Sequence, residues 1–161
     1  MDTQDPVKRN KIELAYNFLR TQIIAHIATV STANLPHIAS VYYMCDAKLN
    51  FYFVTQMNTL KFNNLKFNPI ISIEVTDEST LRTVQARGKA AVCTDQKESV
   101  SVINQISQIV RYNVLWTPPT ILHNYNASAT VIKFAPEWLR LADFREMTPK
   151  RIEEIFIPIL P

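Results

Sequence analysis

The chain has 161 residues and a single glycine, Gly88, against nine prolines. That scarcity constrains the fold more than any other feature. Dinucleotide-binding and Walker-type folds cradle phosphate in glycine-rich loops, where the backbone must approach the anion closely. A chain with one glycine has no such loop. Any phosphate it binds must be held by side chains and by a helix end. The one glycine falls inside a strand-like run, residues 81–93. A lone glycine there marks a bulge or a sharp bend at a barrel corner.

Much of the remaining pattern is strand. Residues 26–31, 37–44 and 49–55 form three short runs. Turns at Ala33-Asn34-Leu35-Pro36 and Asp46-Ala47-Lys48 join them, which predicts an antiparallel meander. Residues 70–76 alternate, with Ile71, Ile73 and Val75 on one side and Ser72, Glu74 and Thr76 on the other. Residues 127–134 predict a further strand. Pro136 to Phe144 predicts another extended stretch, with Trp138, Arg140 and Ala142 on one face. Between and around these lie helices. Asp5-Pro6 reads as an N-cap and first helical position for residues 6–22, with Ile12, Tyr16, Leu19 and Ile23 at helical spacing. Asp95 and Glu98 resemble a capping box for residues 95–111, whose buried face is Val102, Ile106, Ile109 and Val110. Trp116-Thr117-Pro118-Pro119 reads as a rigid loop, and Thr148-Pro149 as the start of a short last helix. The apolar tail Ile155–Pro161 is expected to pack on its own domain or on a partner subunit. No repeat, low-complexity tract or linker interrupts the chain. The expectation is one domain over residues 1–161, mainly β within the α+β class: a six-stranded antiparallel barrel with flanking helices.

Residues 51–69 carry the strongest functional hint. Phe51 to Val54 reads as strand. The period then changes: Asn58 or Thr59 can cap a helix over residues 58–67, with Leu60, Leu65 and Phe67 on its buried side, and Pro69 closes it. A strand that runs straight into a helix presents free N–H groups, and the helix dipole, to one point. Lys61 in the first turn opposes that dipole, so it does nothing for the helix. An anion, and phosphate above all, is its natural partner.

Several function classes are disfavoured. The formal charge of +3 is too small for the clustered basic face of a nucleic-acid binder. No run of about 18 apolar residues predicts a membrane span. The polar start, Met1 to Asn10, is unlike a secretory signal. Cys45 and Cys93 are too few for a disulfide framework, which points to reduced thiols in a cytoplasm. His26, His37 and His123 lack metal-site spacing, so no metal site is expected. Nothing resembles a Cys-x-x-Cys motif or a Gly-x-Ser-x-Gly elbow.

Three pieces of the chain, in order and spacing, resemble the pyridoxamine 5'-phosphate oxidase-like family. They are Ala28-Thr29-Val30, a turn, Pro36-His37 and Val41-Tyr42-Tyr43; then Phe53 to Gln56 with Asn58-Thr59-Leu60-Lys61 and Asn64 to Pro69; then Thr83 to Ala90. The resemblance implies a split barrel that forms a homodimer and binds FMN at the subunit interface. It implies that Lys61 holds the FMN phosphate and that Thr59 adds its hydroxyl. Thr55 and Gln56 would line the ribityl chain and ring, and the backbone of Ser40, Val41 and Tyr42 would pass the ring edge. Gln85 or Thr83 would reach the cofactor from the third piece. Trp138 is a further candidate, for stacking on a flavin.

The chain also departs from the family pattern. Ala39 and Leu60 stand where the oxidases proper carry phosphate-neutralising arginines. The oxidases' substrate-binding segment pairs an arginine with a histidine. Here Trp138-Leu139-Arg140 is the nearest match, and no histidine follows His123. The expectation is therefore an FMN-dependent reductase or oxidase acting on a small molecule other than pyridoxamine phosphate. The alternative is a split-barrel dimer that has lost its cofactor or uses haem or a deazaflavin, and serves as a binding, sensing or stress-related protein rather than a catalyst. No catalytic side chain is singled out, because the cofactor carries the redox chemistry.

Overall fold

The computed structural model of the chain describes residues 6–112, 129–145 and 155–161. In chain order its elements are α1 (Pro6–Leu19), β1 (Ile24–Val30), β2 (Pro36–Cys45), β3 (Phe51–Gln56), α2 (Leu60–Phe67), β4 (Ile70–Asp77), β5 (Arg82–Val92), α3 (Gln96–Tyr112), β6 (Ala129–Asp143) and β7 (Phe156–Leu160). All strand pairs are antiparallel, in the order β3-β2-β1-β4-β5-β6-β7. A further ladder, Phe51↔Phe134 to Gln56↔Ala129, joins β3 to β6. That ladder closes strands β1 to β6 into a barrel, as the strand spacing predicted.

Period-2 alternation fills the barrel interior. Ile27, Tyr43, Phe51, Phe53, Ile71, Ile73, Val84, Phe134, Leu139 and Leu141 form one buried cluster. Ala15, Phe18 and Leu19 of α1 join it and cover one opening. The buried Tyr43 hydroxyl donates to the Leu19 carbonyl at 2.7 Å, which satisfies a helix-end acceptor inside the core. α1 stops at Leu19, short of the expected residue 22. Ile23, the last apolar residue of the helical pattern, packs instead on the second cluster beneath α3.

The two extended stretches expected at 127–134 and 136–144 are one strand, β6. It passes Pro136 without breaking, because Pro136 falls opposite a register shift between Arg87 and Gly88. A proline cannot donate to a ladder and is tolerated at such a bulge. Gly88 is there for close approach, not for a positive φ. A Cβ on it would press on the Ala135 carbonyl oxygen and lie 2.7 Å from Pro136 Cα and 2.8 Å from Glu137 N. With the one glycine placed there, left-handed turn positions fall to Asn34 (φ 59°), Leu49 (φ 64°) and Leu81 (φ 52°). β7 pairs with the second half of β6, and Ile159 and Leu160 are buried in the main core. Of the two places expected for the apolar tail, it occupies its own barrel.

α3 is docked by a second apolar cluster, Val102, Ile106 and Val110 against Tyr42, Tyr52, Val54 and Val131. Asp95 caps it, accepting from Lys97 N at 2.8 Å and Glu98 N at 3.2 Å. Only this half of the expected capping box forms. Glu98 turns to the barrel wall, where it accepts from Lys133 Nζ (2.8 Å), Tyr52 Oη (2.8 Å) and Cys93 Sγ (3.0 Å). Those donors outcompete the return bond because one of them is charged. The sequence readings at Asp5, at residues 113–128 (Trp116 to Pro119 and His123 among them) and at Thr148-Pro149 lie outside the described residues.

Two outcomes follow from this packing. Gly88→Ala destabilises the chain by about 2–3 kcal/mol, since the added methyl meets backbone that cannot step aside; urea unfolding measures it. The Glu98 carboxyl, held down to about 2 by Lys133, Cys93 and Tyr52, sets an acid dependence. Its contribution is complete above the ordinary carboxyl value and is lost as pH falls from about 4.5 towards about 2. Glu98→Gln should cost about 1–2 kcal/mol at neutral pH and flatten the loss of stability across that acid window.

Candidate functional site

Four of the sequence-designated residues meet where β3 runs into α2. Thr59 caps α2 in an extended conformation, its oxygen accepting from Phe62 N at 3.4 Å. Its hydroxyl lies 2.8 Å from the Gln56 carbonyl and 3.1 Å from the Thr55 hydroxyl. Thr55 is fully buried, and Gln56 is half-buried behind the cap. The Thr59 hydroxyl therefore serves the helix cap first, and Thr55 supports it from beneath.

Lys61 follows in the first turn. Its side chain is half-buried, and burial lowers its pKa. Its ammonium has no hydrogen bond or ion pair among the described residues. A partly desolvated cation without a counter-ion, beside the free N–H groups of a helix start, is suited to an anion. The described residues thus fit a phosphate, although among them only one cation is supplied: Ala39 and Leu60 add none.

The buried side of α2 differs from the sequence expectation. Phe62, Asn64 and Leu65 are buried, whereas Leu60 and Phe67 are each 55 % exposed. The reason is polar. Asn64 Nδ2 donates to the buried Thr29 hydroxyl of β1 at 3.0 Å and holds that face of the helix inward. Apolar periodicity in the sequence could not reveal an asparagine as the anchor.

The remaining designated residues, apart from Val41 in the main core, lie on the barrel's outer face. Ser40, His26, Glu74, Gln85 and Arg140 are successive cross-strand neighbours on five strands. A cavity of about 620 Å³ opens over this row, lined by His26, Ala28, Ile38, Glu74, Gln85 and Trp138, with Ser72 among others. Gln85 Oε1 accepts from Arg140 Nε (3.1 Å) and Nη2 (2.7 Å), and Gln85 Nε2 donates to Glu74 Oε2 at 3.2 Å. The Arg140 guanidinium stands over the Phe156 ring at 4.5 Å and the Trp138 ring at 5.4 Å. Thr83 is one step along β5 and donates to the Val75 carbonyl at 3.2 Å. Glu74 and Arg140 were not among the designated site residues. Arg140 had a local signal, since it alternates onto the same face as Trp138; Glu74 is brought in only by its cross-strand pairing with Gln85.

Ser40, Val41 and Tyr42 sit where β2 leaves β3. The β2–β3 ladder runs from Cys45↔Phe51 to Tyr43↔Phe53 and does not reach Ser40 or Val41. This is the split of the barrel. The Val41 and Tyr42 side chains are buried. Their backbone, and the exposed Ser40 side chain, are what the segment offers to a ligand.

Comparison with known proteins agrees with this arrangement. A family model described as pyridoxamine 5'-phosphate oxidase matches residues 13–143. No curated protein matches the chain significantly. Among solved structures, a putative pyridoxamine 5'-phosphate oxidase from Listeria innocua superposes with a TM-score of 0.64 at 21 % identity, covering 83 % of this chain and 96 % of its own. An F420 reductase gives 0.61 at 20 % identity, covering 76 % of this chain and 93 % of its own. The haem storage protein HutZ from Vibrio cholerae gives 0.61 at 16 % identity, covering 80 % and 92 %. These likenesses are of fold. The family model spans all six barrel strands, the α2 junction and the outer-face row, and the chain belongs to the pyridoxamine 5'-phosphate oxidase family.

Proposed function

We propose that the protein is an FMN-dependent oxidoreductase acting on a small molecule, with Lys61 as the phosphate-binding cation. The observation that carries this reading is the half-buried Lys61 ammonium, uncompensated among the described residues, at the start of α2. Thr59 and Thr55 fix the helix start, so its N–H groups and Lys61 converge. Gln56 and the backbone of Ser40 to Tyr42 would border the ribityl chain and ring at the split. Gln85, Thr83 and Trp138 would line the outer-face side. Bound FMN would supply the hydride and electron transfer. The chain's own residues bind, orient and exclude water.

The active form in this reading is a homodimer joined through the outer face. Ile38 is 69 % exposed in the single chain and stands over the cavity, an apolar residue suited to burial by a second copy. The partners are that copy and the small-molecule substrate, with neither nucleic acid nor membrane. A reducing cytoplasm suits its free thiols, Cys45 and Cys93. A true pyridoxamine phosphate oxidase is not the reading, given Ala39, Leu60 and the missing histidine after Arg140.

A second reading has its own support. His26 is exposed and lines the same cavity, and the fold is shared with the haem storage protein HutZ and with an F420 reductase. A haem- or deazaflavin-binding dimer of the stress-protein type is therefore the alternative. An absorbance spectrum of the purified protein separates the two: flavin bands with FMN released on denaturation support the first, a haem band the second.

Lys61 gives a sharper test, because its two expected effects have opposite sign. Lys61→Met should lower FMN affinity at least tenfold while leaving riboflavin affinity nearly unchanged. The same variant without ligand should melt a few degrees higher, because a half-buried charge unpaired among the described residues has been removed. That destabilising charge is fully present below the lowered folded pKa. It fades as pH rises towards the ordinary lysine value, so the stability gap between parent and variant closes there. Equal FMN affinity in parent and variant would sink the phosphate assignment.

A further inference from the structure

We infer that the buried Asn64–Thr29 hydrogen bond sets the roll of α2 and thereby holds Lys61 at the anion site, so that both residues are positioning residues for phosphate recognition. The inference rests on the Lys61 reading above and deepens it.

The observation behind it is a helix whose apolar residues leave its roll undecided. α2 has eight residues. At about 100° per residue, Leu60 and Phe67 share one side of it. Asn64 stands about 40° round from Leu60, and Lys61, Leu65 and Phe62 follow it in that order, so that Leu65 and Phe62 lie on the opposite side. The barrel covers the arc from Asn64 to Phe62: Asn64 is 3 %, Phe62 7 % and Leu65 8 % exposed, against 55 % for both Leu60 and Phe67. Hydrophobic burial does not choose between this roll and its opposite, since each tucks one leucine and one phenylalanine inward. The directional contact that singles out the observed roll is Asn64 Nδ2 donating to Thr29 Oγ1 at 3.0 Å, with Thr29 itself 1 % exposed. A buried amide that lost this partner would be strongly penalised.

The consequence falls on Lys61. It lies between Asn64 and Leu65 on the covered arc, so the roll that buries Asn64 also draws the lysine towards the barrel. The opposite roll would free the lysine into solvent, where its charge is screened and its side chain mobile. The Thr59 cap fixes where the helix starts, and Asn64 fixes which way it faces. Thr29 is in turn seated against β2. Its hydroxyl lies 3.5 Å from both Nδ1 and the carbonyl oxygen of His37, so the anchor spans two strands of the barrel wall.

The test compares FMN with riboflavin, which lacks the phosphate, by flavin fluorescence quenching in the parent, Thr29→Val, Thr29→Ser and the double variant Thr29→Val/Asn64→Leu. The parent should prefer FMN at least tenfold. Thr29→Val should lose most of that preference with riboflavin affinity unchanged, and Thr29→Ser, which keeps the hydroxyl, should retain it. The double variant replaces both partners by apolar groups. Its unfolding midpoint should return towards the parent's while its FMN preference stays low. A double variant, or a Thr29→Val variant, that keeps the parent's preference overturns the inference. If Lys61→Met abolishes the preference and these variants do not, Lys61 stands and the positioning role falls. If the parent itself does not distinguish FMN from riboflavin, the Lys61 reading fails and this inference with it.

Discussion

The ladder between β3 and β6 is the contact on which the rest of the structure depends. Without it the seven strands would form an open sheet with an unpaired edge at β3. With it, Phe51, Phe53 and Phe134 meet inside a closed wall, and the Phe51 and Phe134 rings pack edge to face 5.6 Å apart. Closure has a geometric requirement. β6 must pair with β3 along its first half and with β7 along its second, so it has to bend between the two. The bend is supplied by the bulge at Gly88, where Pro136 crosses so closely that no Cβ fits. The one glycine of the chain is therefore at the position where backbone approach is tightest. Three turns manage left-handed residues without it, each at roughly 1 kcal/mol of strain.

Closure also makes the site. β3 leaves β2 after Tyr43↔Phe53 because it is drawn across to β6, and this departure opens the split. The stretch of β2 that β3 leaves at Ser40 and Val41, on one side, and the β3–α2 junction on the other are both products of that divergence. A flat sheet of the same strands would pair β2 and β3 along their length and leave no such edge. The candidate anion corner and the wall closure are thus two results of one strand changing partners.

Most of the fold was legible because alternation in β4, the meander turns and the mid-strand glycine are local signals. Ile71, Ile73 and Val75 point inward as their spacing requires. The junction at Thr55, Thr59 and Lys61 was legible for the same reason: capping and the dipole act within one turn. What escaped the sequence was non-local. Nothing local says that residues on either side of Pro136 form one strand, since the answer depends on Gly88 some fifty positions earlier. Nothing local says that Glu98 prefers Lys133 and Tyr52 to its own helix cap. Asn64 is the clearest case. It reads as a surface residue of a short helix, and only its distant partner Thr29 makes it an anchor.

The missing arginines acquire a physical meaning once the corner is seen in place. An exposed lysine facing a phosphate dianion gains little in water, where the interaction is screened. Lys61 is instead drawn part-way into the barrel flank, where the effective dielectric is lower and the same pair interacts more strongly. Burial makes an ammonium that is uncompensated among the described residues a liability to the ligand-free chain, and in the proposed reading makes an arriving anion correspondingly more welcome. In that reading one partly buried cation with helix N–H groups behind it would stand in for part of what two exposed arginines would contribute. The cost would be borne by the stability of the ligand-free protein, so affinity for the proposed anion and stability in its absence would be opposite consequences of the same half-buried charge.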